Sequence, residues 1–112
     1  MSILSVATIG VGSWMVINGI LHDIFVLRSD QGKVYDRNLL RLLMDGHILV
    51  TCGAIQIISF LGIESHQHFA YYICATATIS LLIYCSMIYP FLKSIVTILL
   101  NLALLVLLVI NF

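Results

Sequence analysis

Apolar residues fill four long stretches of the chain, and the charged residues gather between them. No Asp, Glu, Lys or Arg occurs in residues 1–22, 46–63, 65–92 or 94–112. A helix that crosses the hydrocarbon core of a bilayer needs roughly 20 apolar residues, whereas a transmembrane β-strand needs about 10 residues of alternating polarity. The pattern therefore predicts an all-α protein whose four helices cover residues 3–27, 38–63, 68–89 and 91–111.

Composition points to the same class of protein. Hydrophobic residues make up 62% of the chain and charged residues 9%, against about 45–50% and about 25% in a soluble domain. A net charge of +0 gives no basic surface for nucleic acid, and 3 Cys are too few for a disulfide scaffold. We therefore expect an integral membrane protein in which residues 1–112 form one four-span domain, with lipid and not nucleic acid as its partner.

The basic residues predict how such a bundle lies in the membrane. With four antiparallel spans, the 28–37 loop and the turn at Pro90 share one side, while both termini and the second loop share the other. All five bases lie on or next to the first side: Arg28, Lys33, Arg37, Arg41 and Lys93. The positive-inside rule then makes the basic loop 28–37 cytoplasmic and puts both termini on the non-cytoplasmic side. Pro90 is expected to open the fourth helix, because proline fits the first helical turn.

Polar and small residues inside the spans fall into helical stripes. At about 100° per residue, one face of the second helix collects Asn38, Arg41, Asp45, Cys52, Gln56 and Ser59. One arc of the first helix collects Ser5, Thr8, Gly12, Asn18, Gly19, His22 and Asp23. Small residues let helices pack closely in lipid, so Gly12, Gly19, Gly46 and Gly53 are expected at helix contacts.

Intramembrane polar residues are costly and mark candidate sites. The polar intramembrane site predicted from depth and helix face comprises Asn18, Asp23, Asp45, Gln56, Tyr84 and Asn101. Within it, Asn18, Asp45, Gln56 and Asn101 are expected to form hydrogen bonds between helices. Asp45 is expected to pair with Arg41 one turn earlier, to pair with a histidine, or to be protonated.

His22 and His47 lie at similar depths on different helices and suggest a cofactor or ion site. Two such rings are typical of the axial ligands of a b-type haem, and they equally fit a quinone pocket or a proton relay. Asp45 and His47, however, differ by about 200° around their helix, so both cannot face one small pocket. In the second loop, Glu64, His66 and His68 have a spacing suited to zinc or copper, although a solvated turn explains them more simply.

Motifs of nucleophilic, phosphate-binding or zinc-protease enzymes are absent from the sequence, which favours a non-enzymatic role. Length and helix count are similar to those of the small multidrug resistance transporters. That family works through a Glu in its first helix, whereas the one Glu here is Glu64 in a loop, so no family is assigned. The sequence favours a packing or accessory subunit of a homo-oligomer or a larger membrane complex. The alternative is a cofactor-binding or ion-handling protein that uses His22 and His47.

Overall fold

The computed structural model describes residues 3–92 and 95–112. Within these ranges the chain forms four α-helices and no strand. They are α1 (Ile3–Arg28), α2 (Arg37–Glu64), α3 (His68–Leu92) and α4 (Ile95–Asn111), with a 3-10 turn at Asp30–Lys33 between the first two. The predicted all-α class and the number of helices are confirmed.

Three of the four helices are long and apolar enough to cross a membrane. These are α1, α2 and the part of α3 from His68 to Met87. The apolar α4 has 17 residues, which corresponds to about 25 Å at 1.5 Å per residue. The chain therefore has the helices that a membrane protein requires.

The boundary between the last two helices differs from its prediction. α3 continues through Pro90 to Leu92, so this proline lies in the last turn of α3 and does not open α4. Proline lacks a backbone donor, and its ring crowds the carbonyl four residues earlier; Leu92 is the last described residue of α3. Lys93, one of the five bases used to predict orientation, lies outside the described residues.

The helices pack in a ring. α1 packs most extensively against α2, α2 also contacts α3, α3 contacts α4, and α4 returns to α1. α1 and α3 are therefore diagonal to each other, as are α2 and α4. The bundle is elongated, with extents of 47 × 24 × 18 Å.

Glycines bring the backbones of α1 and α2 together at two levels. A methyl group at Gly12 would lie 2.8 Å from the carbonyl oxygen of Gly53, and one at Gly19 would lie 2.5 Å from that of Gly46. No side chain fits in either place. The predicted role of these four glycines in helix packing is confirmed, and it accounts for the tightness of this helix pair.

Both ends of α2 are capped. Asp36 precedes the helix, and its Oδ1 accepts a hydrogen bond from the backbone nitrogen of Leu39 over 2.8 Å, which satisfies one of the free donors of the first turn. At the other end, His66 has a φ of 56°. Its backbone nitrogen donates to the carbonyl of Ile63, and that of Gln67 donates to Gly62. These two bonds form a Schellman motif that ends the helix.

The outer surface is covered by large apolar side chains on every helix. Phe25 on α1 is 78% exposed, Ile58 on α2 66%, and Val109 on α4 70%. The interior, in contrast, contains polar side chains that are fully buried. Such an inversion suits a protein whose surroundings are lipid, because an apolar exterior is favourable there and polar groups must be bonded inside.

Candidate functional site

A polar cluster at the centre of the bundle contains two of the predicted site residues. Gln56 of α2, Thr78 of α3 and Asn101 of α4 are each 0% exposed. The side-chain nitrogen of Gln56 donates to Thr78 Oγ1 and to Asn101 Oδ1, each over 3.0 Å. One amide group thus bonds three helices together. We call these three residues the core triad.

Asn101 extends the core triad to the remaining helix. Its Nδ2 lies 3.4 Å from the sulfur of Met15 on α1 and donates to the carbonyl of Thr97 over 2.9 Å. Thr78 in turn donates its hydroxyl to the carbonyl of Cys74 over 2.8 Å. All four helices therefore contribute atoms to one hydrogen-bonded group.

Buried hydroxyl groups surround the core triad. The Cys74 thiol lies near the hydroxyl groups of Thr8, Ser59 and Thr78. Thr8 and Ser59 also donate to carbonyls of their own helices, at 2.8 and 2.7 Å. These bonds satisfy most of the polar atoms at the centre. Among the described residues, Gln56 Oε1 is a buried oxygen that lacks a hydrogen-bond partner.

A second group of polar side chains lies where the end of α1, the first part of α2 and the last part of α3 meet. The Asp45 carboxylate lies beside the Tyr84 hydroxyl, and Asp23 is near enough to act on the same hydroxyl electrostatically. The Asp23 carboxylate also rests directly on the backbone of Gly46. His22 Nδ1 lies 3.5 Å from Asp23 Oδ1. We call these four ionisable side chains the carboxylate group: His22, Asp23, Asp45 and Tyr84.

In the part of the chain that the structure describes, short hydrogen bonds do not join the side chains of the carboxylate group. The Tyr84 hydroxyl is buried, and no hydrogen bond of ordinary geometry reaches it from the described residues. Within that same part of the chain, no ion pair joins Asp45 to Arg41, which is exposed. The expected pairing of these two residues is therefore not seen. One turn of helix brings them near, but the Arg41 side chain lies on the outside of the bundle.

Within the described residues, Asn18 bonds to its own helix and not to another. Its Nδ2 donates to the carbonyl of Trp14, one turn earlier in α1, over 2.7 Å. Asn18 is half-buried, whereas the helical stripe predicts an interior position. The side-chain nitrogen of Asn18 therefore has a partner in α1, and Asn18 is part of neither the core triad nor the carboxylate group as these are defined above.

His22 and His47 differ in how far the bundle buries them. His22 is half-buried beside Asp23, whereas His47 is exposed on the outer face of α2. The His47 ring lies 3.3 Å from the hydroxyl of Thr51, one turn later in the same helix. This placement does not favour a haem held between the two rings.

The second loop has no metal cluster in the described structure. Glu64, His66 and His68 are all exposed. His68 packs edge-on against Phe112, with ring centroids 4.9 Å apart. Across residues 3–92 and 95–112, no three His, Cys, Asp or Glu side chains are grouped closely enough to hold a metal ion. The predicted metal site gains no support from this arrangement.

No family model, curated protein or solved structure matches the chain. Function must therefore be inferred from the side chains themselves.

Two polar residues that have partners in the structure are not among those that the sequence pattern singles out. Thr78 carries the hydroxyl that accepts from Gln56, and Thr51 is the partner of His47. Its position one turn after a histidine was the available signal, because residues four apart meet on a helix.

Proposed function

We propose that this chain is a four-span integral membrane protein that works as a non-enzymatic packing or accessory subunit within a homo-oligomer or a larger membrane complex. In this proposal the helices are antiparallel, the basic loop 28–37 is cytoplasmic and both termini are on the other side. The placement of Arg28, Lys33, Arg37 and Arg41 on one side supports the orientation.

The observation that supports the proposal is that the buried polar side chains bond to one another across helices. Gln56 donates to both Thr78 and Asn101, and Asn101 also contacts Met15. These groups therefore hold helix to helix. Polar side chains that bind a substrate would instead line a cavity and leave their donors free for it. A bundle whose central amide donors are occupied in this way is suited to a structural role.

A second candidate function rests on the carboxylate group. Three helices bring Asp23, Asp45 and Tyr84 to one level, and the buried Tyr84 hydroxyl has no described hydrogen-bond partner. Ionisable side chains of this kind inside a membrane form proton relays in other proteins. This candidate retains His22 from the predicted histidine pair and does not require His47.

Measurements on the protein purified in mild detergent distinguish the subunit role from the proton relay and from a cofactor-binding protein. Native mass spectrometry should find an oligomer or a complex with other membrane proteins, and absorption spectra before and after dithionite should show no haem band. A monomer with a haem band would overturn the proposal in favour of the haem alternative. Proton flux in proteoliposomes that is lost in Asp45→Asn would overturn the first proposal in favour of the carboxylate group. Asp30→Asn is the control and should preserve that flux, because Asp30 lies on the exposed loop.

Orientation is tested separately with reporter fusions at Phe112. A fluorescent protein that folds only in the cytoplasm should stay dark, and a phosphatase that folds only outside it should be active. The opposite result would reverse the topology while leaving the subunit role open to the first experiment.

A further inference from the structure

The outer face of α2 carries a continuous exposed stripe that no other helix of the bundle covers. Its members are Leu40, Met44, His47, Thr51, Ile55, Ile58 and Leu61, and we call them the His47 seam. All seven are exposed. Successive members are three or four residues apart, which is the spacing of one face of an α-helix. The seam extends about 32 Å, close to the full thickness of the hydrocarbon core.

Two polar side chains at the centre of this stripe, His47 and Thr51, are unfavourable in contact with lipid. His47 and Thr51 are both exposed, and His47 lies about 9 Å beyond Arg41 along the helix. If α2 spans the membrane as proposed above, both side chains are within the hydrocarbon core. There an unbonded polar group is costly, and polar residues face protein or water.

The pair does not satisfy its own hydrogen-bonding capacity. His47 Nε2 and Thr51 Oγ1 are 3.3 Å apart, and in the part of the chain that the structure describes the second ring nitrogen has no partner. A neutral imidazole has one donor and one acceptor, and a hydroxyl has one donor and two acceptor positions. Two copies of the same pair therefore offer each other matching donors and acceptors.

We propose that a second copy of this chain covers the His47 seam. The two α2 helices pack side by side about a two-fold axis along the membrane normal, so that His47 and Thr51 of each copy bond to the same residues of the other. A two-fold axis brings identical patches together, and the self-complementarity of the pair is what favours a second copy over a different protein. The apolar members of the seam, such as Met44 and Ile58, pack above and below. This inference rests on the proposed membrane span and deepens the proposed subunit role.

Cysteine cross-linking in native membranes tests the contact directly. In a Cys52→Ser background, Ile58→Cys on the seam should form a disulfide-linked dimer on mild oxidation. Ile83→Cys is the matched control, because Ile83 is 59% exposed on α3 and Ile58 is 66% exposed on α2. Cross-linking of the seam variant alone supports the proposal. No dimer, equal dimers from both variants, or an adduct with a different protein would overturn it.

A dissociation measurement tests the polar pair itself. Energy transfer between labelled copies in lipid vesicles gives the dimer dissociation constant. His47→Leu should raise it roughly tenfold, the effect of losing two interhelical hydrogen bonds of the usual strength in membranes. The control is Thr76→Val on α3, whose exposed hydroxyl bonds to its own helix, and it should change nothing. An unchanged constant in His47→Leu would overturn the assigned role of the pair.

Failure of the membrane proposal is recognised by a different result. Extraction of the wild-type protein from membranes by alkaline carbonate would show that it is not integral, whatever its oligomeric state. Retention in the membrane together with a monomeric state would leave the span intact and overturn the His47 seam as a dimer contact.

Discussion

The side-chain nitrogen of Gln56 donates to the side-chain oxygen of Asn101 over 3.0 Å, although 45 positions of sequence separate the two residues. α2 and α4 are diagonal in the ring of helices, so this bond crosses the centre of the bundle. Burial of an amide without a partner is expensive. Each of these two side chains therefore supplies the partner that the other needs in order to be buried. Together they fix the rotation of α2 and α4 about their axes.

Removal of this bond should destabilise the bundle. We expect Gln56→Leu to lower the free energy of unfolding by about 1 to 2 kcal/mol, because it leaves the Asn101 oxygen buried without its donor. Titration of the detergent-solubilised protein with sodium dodecyl sulfate, followed by circular dichroism, measures the change. A double-mutant cycle with Asn101→Leu should give a coupling energy of about 0.6 kcal/mol or more. Strictly additive losses would show that the bond contributes nothing.

The glycines between α1 and α2 provide a steric test. Gly19→Ala puts a methyl group 2.5 Å from the carbonyl oxygen of Gly46 and 2.7 Å from a methyl of Val50. The helices must separate to admit it, so we expect a loss of about 1 to 3 kcal/mol in the same unfolding measurement. Alanine's higher helix propensity offsets part of this loss.

Gly10 is the matched control for that substitution. It lies on the same helix, and a methyl group there would meet no atom within 4 Å. Gly10→Ala should therefore leave stability unchanged or raise it by up to about 1 kcal/mol, through helix propensity alone. Equal losses in the two variants would contradict the close contact of α1 with α2.

Much of the fold could be predicted from sequence because it depends on local pattern. Charge-free stretches predict the helices, and the seven-residue spacing of Gly12 and Gly19 predicts a close contact. The rotation of each helix and the hydrogen-bond partner of each buried side chain depend on residues that are distant in sequence. Helical angles put Gln56 and Asn101 inside, but only the packed bundle shows that Thr78 is the other acceptor. The stripe containing Asp45 likewise did not reveal that Arg41 would extend outwards, away from it. Depth along the helices predicts one polar level for Asp23, Asp45 and Tyr84, but the contact of Asp45 with Tyr84 depends on how the helices pack.

His66 should be a site where stability can be gained. Its φ of 56° is in the left-handed region, which costs a residue with a Cβ atom roughly 1 to 2 kcal/mol and glycine much less. We expect His66→Gly to raise the free energy of unfolding by about 1 kcal/mol, whereas His66→Ala should not. Because the side chain is exposed, the two variants differ mainly in backbone preference. A loss of stability in both would mean that the imidazole itself makes a contact that stabilises the fold.

Tyr84 distinguishes a packing residue from a member of a proton site. Its hydroxyl is buried beside Asp45 with no hydrogen bond of ordinary geometry from the described residues. Deleting an unsatisfied buried hydroxyl removes a desolvation cost, so Tyr84→Phe should leave stability unchanged or raise it by about 1 kcal/mol. Tyr72→Phe serves as the control, because the Tyr72 ring is 61% exposed and its change should be within about 0.5 kcal/mol of zero. A clear loss in Tyr84→Phe alone would show that the hydroxyl donates to the Asp45 carboxylate in the membrane. That result would strengthen the carboxylate group as a functional site, since a shared proton between these two side chains is what a relay across the three helices would require.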